Sequence, residues 1–391
     1  MKWIKRGVAV IVGLVIVGGI GFLTFAPRIA DTRMNPVTDH PPYPVSETAQ
    51  ALHNDLLIGD WHADSLLWKR SLLKRHDFGH VDVPRLQEGN VAVQVFTAVT
   101  KSPSGLNYDE NAADARDDIT LLAMGQLWPI RTWGSILERA LYQAQRLHEY
   151  SVLAPSDLQV VTNLAQLDAV LEARANGDDT VAGILGIEGA HPLEGKLENL
   201  DRLEDAGYRL IGLQHFFDNE LGGSLHGQGN HGLTDFGRQV VAEVATRGMV
   251  LDLAHSSLQV VKDVLDMTDI PLVISHTGLH SHCETKRNIP DDLMRQVAAT
   301  GGVIGIGYWA DVTCDDSPAG VAAAIKAAIA AVGEDAVSYG SDYDGTVRVR
   351  FDTSELAALT QAMLDAGLSE AQIRKVAGEN MLRVLRARLT P

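Results

Sequence analysis

Six ionisable residues stand where short apolar runs end: His62 and Asp64 in GDWHAD, Glu188 in LGIEGAH, His255 in LDLAHS, His276 in VISHTG and Asp342 in YGSDYDG. Each run reads as a buried strand, and an ionisable group at its end is costly unless it has a partner or a task. Imidazoles and carboxylates together suit zinc or another divalent first-row ion. In His62-x-Asp64 the two side chains share one face of an extended strand end, because side chains alternate with period two. Taken singly, each residue has a plainer reading as a chance pair, a hydrogen-bonded core carboxylate or a core imidazole. As an ordered set they describe a site. Glu188 reaching two metals would explain a carboxylate among small and apolar residues, and His255 with His276 would complete the second position. Two ions a few ångströms apart can hold one hydroxide, lower its pKa and polarise the bond it attacks.

Asp342 and Asp344 follow an apolar run in GSDYDG. A carboxylate there can take a proton from the attacking water and pass it to a leaving nitrogen. Asp342 is the candidate, whereas Asp344 reads as a turn aspartate bonded to its own backbone. His215 in LQHF can stabilise a developing oxyanion. Arg287 in ETKRNIP offers a two-pronged contact for a substrate carboxylate, the alternative being a loop arginine facing solvent. His191, His226, His231, His280 and His282 are read as solvated loop residues.

These groups need a scaffold that brings distant strand ends together. Apolar runs at 56–60, 91–97, 181–187, 210–214, 249–253, 272–275, 303–307 and 336–340 alternate with amphipathic segments. Continuous apolar strands separated by helices imply a parallel sheet buried on both faces. Eight such strands fit an α/β fold closed as a (β/α)₈ barrel, with a doubly wound open sheet as the runner-up. In a barrel, sites lie at the C-terminal ends of the strands, where all the candidates fall. Residues 108–150 read as an inserted helical pair.

The net charge of −17 argues against nucleic acid as a partner. Lys2, Lys5 and Arg6 precede an uncharged stretch from Gly7 to Ala26. About 20 residues at 1.5 Å each span a bilayer core, and the basic flank places the N-terminus in the cytoplasm. The expectation is a transmembrane anchor over residues 1–28, a proline-rich linker over 29–48 and a catalytic barrel over 49–391. The barrel then lies in the periplasm or outside the cell, tethered to the inner membrane by one pass. A cleaved signal peptide is the alternative. Cys283 and Cys314 are the two cysteines of the chain, a disulfide candidate in an exported protein, with two buried thiols as the alternative.

From about residue 55 onward the chain resembles the membrane (renal) dipeptidases, the M19 metallopeptidases of the amidohydrolase superfamily. The segments that carry the resemblance are WHAD, GIEGAH, LQHF, LDLAHSS, ISHTGLHSHCETKRNIPDDL, GSDYDG and AGENMLRVL. The resemblance implies two zinc ions, one held by His62, Asp64 and Glu188 and the other by Glu188, His255 and His276. It further implies Asp342 as proton shuttle, His215 at the substrate carbonyl, Arg287 at the terminal carboxylate and a Cys283–Cys314 bridge. The implied substrates are dipeptides, including those with a D-residue in the C-terminal position. A non-peptide amide, lactam or ester substrate and a non-catalytic peptide-binding barrel are the competing readings. A homodimer is compatible with the chain. The segment FFDNELGGSLHGQGNHG departs from the family pattern, and Tyr308 does not fall in register with the tyrosine that assists carboxylate binding there.

Overall fold

The computed structural model describes the backbone from Lys2 to Pro391, while the side chains of residues 1–5, 7–12, 14–17, 20 and 22 lie outside that description. Eight parallel strands close into a ring: β1 (Ile58–Ala63), β2 (Val91–Val99), β3 (Val181–Glu188), β4 (Tyr208–Gly212), β5 (Val250–Asp252), β6 (Leu272–Thr277), β7 (Val303–Ile306) and β8 (Val337–Tyr339). Closure comes from β1 pairing with both β2 and β8, and from β2 pairing with β3. The ninth strand, Leu158–Val160, lies outside the ring beside the start of β3. Every residue of β1, β2, β3 and β6 is buried, as strands wrapped by helices must be. The barrel is thus the closed alternative, and all eight expected strands are present.

Local capping starts the helices where the sequence allows. Ser46 accepts from the Ala49 amide to open α2 (Glu47–Asp55), and Thr234, Ser257 and Ser317 do the same for helices after β4, β5 and β7. The C-terminal helix, Asn380–Arg388, puts Met381, Val384 and Leu385 into one apolar cluster with Trp61, Val250 and Val303. Asn380 in AGENML anchors it by donating to the carbonyls of Glu334 and Val337 at 2.8 Å each. The insertion after β2 holds three helical segments, Asp118–Gly125, Arg131–Gly134 and Ile136–Leu153, where a pair was expected.

The N-terminal region differs from the expected layout. One helix, α1 (Lys2–Met34), contains the expected anchor, most of whose side chains lie outside the described residues. Among the described residues no helix is long and apolar enough to cross a membrane. The helix also runs through Pro27 to Met34, so the extended chain begins near Asn35 and not at Ile29. Tertiary contacts explain the extension: Asp31 and Asn35 are both buried, and Asp31 pairs with Arg70 at 2.5 Å. Val37 then pairs with Val349 as an isolated parallel bridge.

Two buried histidines outside the ring give the fold a pH dependence. His53 shares a hydrogen bond with Thr360 Oγ1 at 2.9 Å, and burial pulls it from 6.5 to about 4. Burial likewise takes His80 to about 4, and its Nδ1 accepts from the Asp344 amide at 2.9 Å, which requires a neutral ring. Between these values and 6.5 the unfolded chain binds more protons than the folded one, so stability rises with pH. The contribution is complete above about pH 6.5 and is lost as pH falls toward 4. Melting temperature should therefore fall across that window, and His53→Gln should flatten the slope. A Tm indifferent to pH there would contradict the neutral assignment.

Candidate active site

The expected residues converge at the C-terminal ends of the strands. His62 lies in β1 and Asp64 just beyond it; Glu188 ends β3; His276 lies in β6. His215, His255 and Asp342 each follow their strand by three residues, and Arg287 sits on the loop after β6. His255 and Asp342 have left-handed φ values of 62° and 61°. Such backbone in non-glycine residues concentrates at functional sites.

Glu188 is the centre. Its Oε1 lies 3.1 Å from His255 Nε2, 3.4 Å from His276 Nε2 and 3.5 Å from His62 Nε2. Its Oε2 lies 3.3 Å from His215 Nε2. The potential ligand atoms of His62, Asp64 and Glu188 all fall within 4.8 Å of one another. Those of Glu188, His255 and His276 are closer still, the two imidazole nitrogens standing 2.9 Å apart. Both expected ligand sets are thus assembled, although their residues span most of the chain.

Partners behind the ligands decide which ring nitrogen carries hydrogen. Ser275 Oγ donates to Asp252 Oδ2 at 2.6 Å, so toward His276 Nδ1 at 2.9 Å it accepts. His276 therefore holds its hydrogen on Nδ1 and presents a lone pair on Nε2. The same hydroxyl faces His62 Nδ1 at 3.3 Å, and His215 Nδ1 faces the Lys101 carbonyl at 3.1 Å. The Nε2 lone pairs of His276 and His215 then turn toward one carboxylate, an arrangement that repels unless a cation lies among them. His62 Nε2 and Glu188 Oε2 are buried with no hydrogen-bond partner. The donor set fits divalent metal ions.

Charge balance agrees. Burial, with the Asp64 charge added, raises Glu188 well above the ordinary carboxylate range. Burial likewise raises Asp342, with His62 opposing and Asp64 and Glu188 adding to it. Burial drives His255 and His276 well down and brings His215 to about 4. For His62 burial also pulls downward, but Asp64 and Asp342 prevail and raise it. Glu188, Asp342, His215, His255 and His276 are thus all pushed toward their neutral forms, with His62 the exception.

Arg287 is buried, not a solvated loop residue. One Nη donates to the His276 carbonyl at 2.6 Å, its guanidinium stands 5.6 Å from the Trp309 ring centre, and its Nε is unpartnered. It makes no direct ion pair among the described residues, and it lines the cavity with Asp342 and Glu188, whose charges act on it at longer range. The loop that carries it is tied by the Cys283–Cys314 disulfide, whose Cα atoms are 5.5 Å apart. Asn288 reinforces the tie by donating to the carbonyls of Cys283 and Val312 at 2.9 Å each.

The sequence left several residues around the site without a role. Tyr308 is packed among Tyr339, Tyr343 and Phe351 and does not line the cavity. Tyr108, from the insertion, does line it, and its hydroxyl accepts from Trp309 Nε1 at 3.0 Å. His191 and His226 are buried rather than solvated. His226 stacks on Phe216, a cavity residue, while its Nδ1 faces the Tyr108 carbonyl at 3.0 Å. The exposed His231 and His282 and half-buried His280 fit the solvated reading better. Asp60 and Asp252 sit visibly in IGDWH and LDLAH, and a buried-strand carboxylate was the signal that could have found them.

Asp344 is not bonded to its own turn. Its carboxylate pairs with Arg70, accepts from Ser65 Oγ at 2.6 Å and from the His80 amide at 2.7 Å. Burial pushes it up, but Arg70 and His80 hold it below the ordinary range. It is a structural anion at the edge of the site.

With this geometry in place, comparison with known proteins decides the family. The profile of the membrane dipeptidase family (peptidase family M19) matches residues 46–390. The chain belongs to that family. A dipeptidase of Aspergillus oryzae, aclJ, is 28% identical over 358 residues, covering 84% of this chain and 77% of that protein. The solved dipeptidase AC, a metallo peptidase of family M19, is 26% identical with a TM-score of 0.68, over 86% of this chain and 99% of that one. A metallo peptidase from Rhodobacter sphaeroides, solved with a phosphinate mimic of the dipeptide L-Ala-D-Ala, is 25% identical with a TM-score of 0.67, over 85% and 99% of the two chains. This member of the family is a metallopeptidase of the dipeptidase class.

The role of Asp344 is testable. Asp344→Asn should lower unfolding free energy by about 3 kcal/mol or more, because Arg70 loses a buried partner. Denaturant titration measures it, and a stability equal to the parent would remove the structural assignment.

Proposed function

We propose that the protein is a zinc-dependent dipeptidase with two ions, one held by His62, Asp64 and Glu188, the other by Glu188, His255 and His276. The observation that carries this reading is the buried Glu188 carboxylate with four imidazole Nε2 atoms within 3.5 Å of it. When bound there, the ions supply Lewis acidity that activates water and polarises a carbonyl.

The chain's own groups do the rest. Arg287 takes the substrate's terminal carboxylate in a charge-assisted contact, and so orients the peptide bond over Glu188. His215 lines the cavity beside Glu188 at the place of the scissile carbonyl, its ring oriented by the hydrogen bond from Nδ1 to the Lys101 carbonyl. Asp342, with Oδ1 3.9 Å from His62 Nε2, accepts a proton from the attacking water and delivers it to the leaving amine. A D-residue at the C-terminal position is tolerated in this reading, supported by the L-Ala-D-Ala mimic in the Rhodobacter sphaeroides relative. The uncharged stretch from Gly7 to Ala26, behind Lys2, Lys5 and Arg6, supports attachment to the inner membrane with the barrel on its outer side.

Metal analysis of the purified protein should find two zinc ions per chain, and Glu188→Gln should release both together, since one carboxylate serves the two positions. Retention of both ions by that variant would remove the shared ligand. Arg287→Met should raise KM for free dipeptides, and a dipeptide amide should be a poor substrate of the parent enzyme. Equal cleavage of the free and amidated dipeptide would overturn carboxylate recognition.

A further inference from the structure

The family match begins at residue 46, yet the chain ahead of it reaches the site in two ways. The cavity over the metal ligands holds about 970 Å³. One side of it is made by the end of α1, through Pro27, Ala30 and Met34, facing Ile119 and Leu122 of the inserted helix Asp118–Gly125. That wall is largely apolar, and none of its α1 residues lies within the family match.

The second contact is polar and buried. The Asp31 carboxylate, 2% exposed, accepts from Arg70 Nη1 at 2.5 Å and from Asn35 Nδ2 at 2.8 Å. The other Nη of Arg70 pairs with Asp344. Asn35 Oδ1 in turn accepts from the Thr346 amide at 2.9 Å. Beyond them the Thr38 amide donates to the Val349 carbonyl at 2.8 Å. The gripped turn is unusual: Asp342, Asp344 and Thr346 have φ of 61°, 63° and 65°. Three left-handed non-glycine residues in five positions persist only where the surroundings over-determine them. Ser65, Trp68 and His80 grip the turn from the barrel side; Asp31 and Asn35 act from the other.

We propose that residues 26–38 are a working part of the active site, closing the apolar side of the substrate cavity and holding the turn that carries Asp342. Asp31 and Asn35 are positioning residues, since neither touches the reacting atoms. Ala30 is a specificity-determining position, selecting dipeptides with a large apolar side chain. The proposal rests on Asp342 as the proton carrier, so Asp342→Asn is measured alongside and should lose roughly 10²–10⁴-fold in kcat.

The experiment uses the full chain loaded with zinc, and follows kcat, KM, metal content and Tm with leucyl-leucine and glycyl-glycine. Asp31→Asn and Asn35→Ala should each lower kcat by about 10–100-fold, because a displacement near 1 Å is worth that much, with KM and metal content nearly unchanged. Asn35→Ala removes only a neutral side chain and serves if Asp31→Asn does not fold. Ala30→Trp should raise KM for leucyl-leucine by about tenfold and leave glycyl-glycine within about twofold, the cost of one excluded side chain. A fall in Tm at parental kcat in both positioning variants would overturn the clamp, and equal effects on both dipeptides would overturn the wall. Parental turnover in Asp342→Asn would instead remove the reading beneath the clamp, a failure separable from the other two.

Discussion

A buried carboxylate with no arginine or lysine paired directly to it is the constraint around which the site is arranged. Glu188 ends β3 at 4% exposure, and its nearest neighbours are imidazole nitrogens, with His255 Nε2 in a hydrogen bond to it at 3.1 Å. Burial of an anion in such company is tolerable only if it is protonated or if cations are supplied from outside. The barrel makes the arrangement possible because parallel strands bring their C-terminal ends to a common rim, whatever their separation in sequence. Metal affinity is thus stored in the fold as an unmet electrostatic demand.

That demand requires rigid ligands, and two further buried carboxylates provide the rigidity. Asp252 on β5 receives the hydroxyl and amide of Ser275 on β6, and Ser275 in turn orients His276 and His62. Asp60 on β1 receives the hydroxyl and amide of Ser341 beyond β8, and the same hydroxyl reaches the His62 carbonyl at 3.0 Å. Both carboxylates have their lone pairs met by short hydrogen bonds, which offsets part of the cost of burying them. Each cross-links adjacent strands just below the ligands. Support behind a ligand commonly matters nearly as much as the ligand itself.

The two aspartates of GSDYDG show how close neighbours acquire opposite tasks. They are two residues apart with nearly the same left-handed backbone. Asp342 faces the cavity and the other carboxylates, and its proton affinity is raised. Asp344 turns to Arg70, Ser65 and His80 and stays ionised. Environment separates them, and the environment of Asp344 includes a residue 274 positions away.

Much of the site was legible because barrel strands are continuous apolar runs, so a histidine or carboxylate at the end of one is conspicuous. His62, Asp64, Glu188, His215, His255, His276 and Asp342 could all be found from local pattern, and the eight strands with them. Arg287 and the cysteine pair were candidates that the residues left open against a solvated arginine and two free thiols, since a basic loop residue and two lone cysteines have no periodic signature; the family resemblance favoured one side. What only the tertiary structure decided are contacts between segments whose local patterns say nothing of each other. The Arg70 that pairs with Asp31 and Asp344, the Tyr108 that meets Trp309, and the helix that outruns its proline-rich stretch to Met34 are of this kind. Hydrophobic periodicity is a property of neighbours along the chain and reports which face is buried. Pairing of buried charges is a property of neighbours in space, and it is set only when the ring closes and brings residues 31, 70 and 344 together.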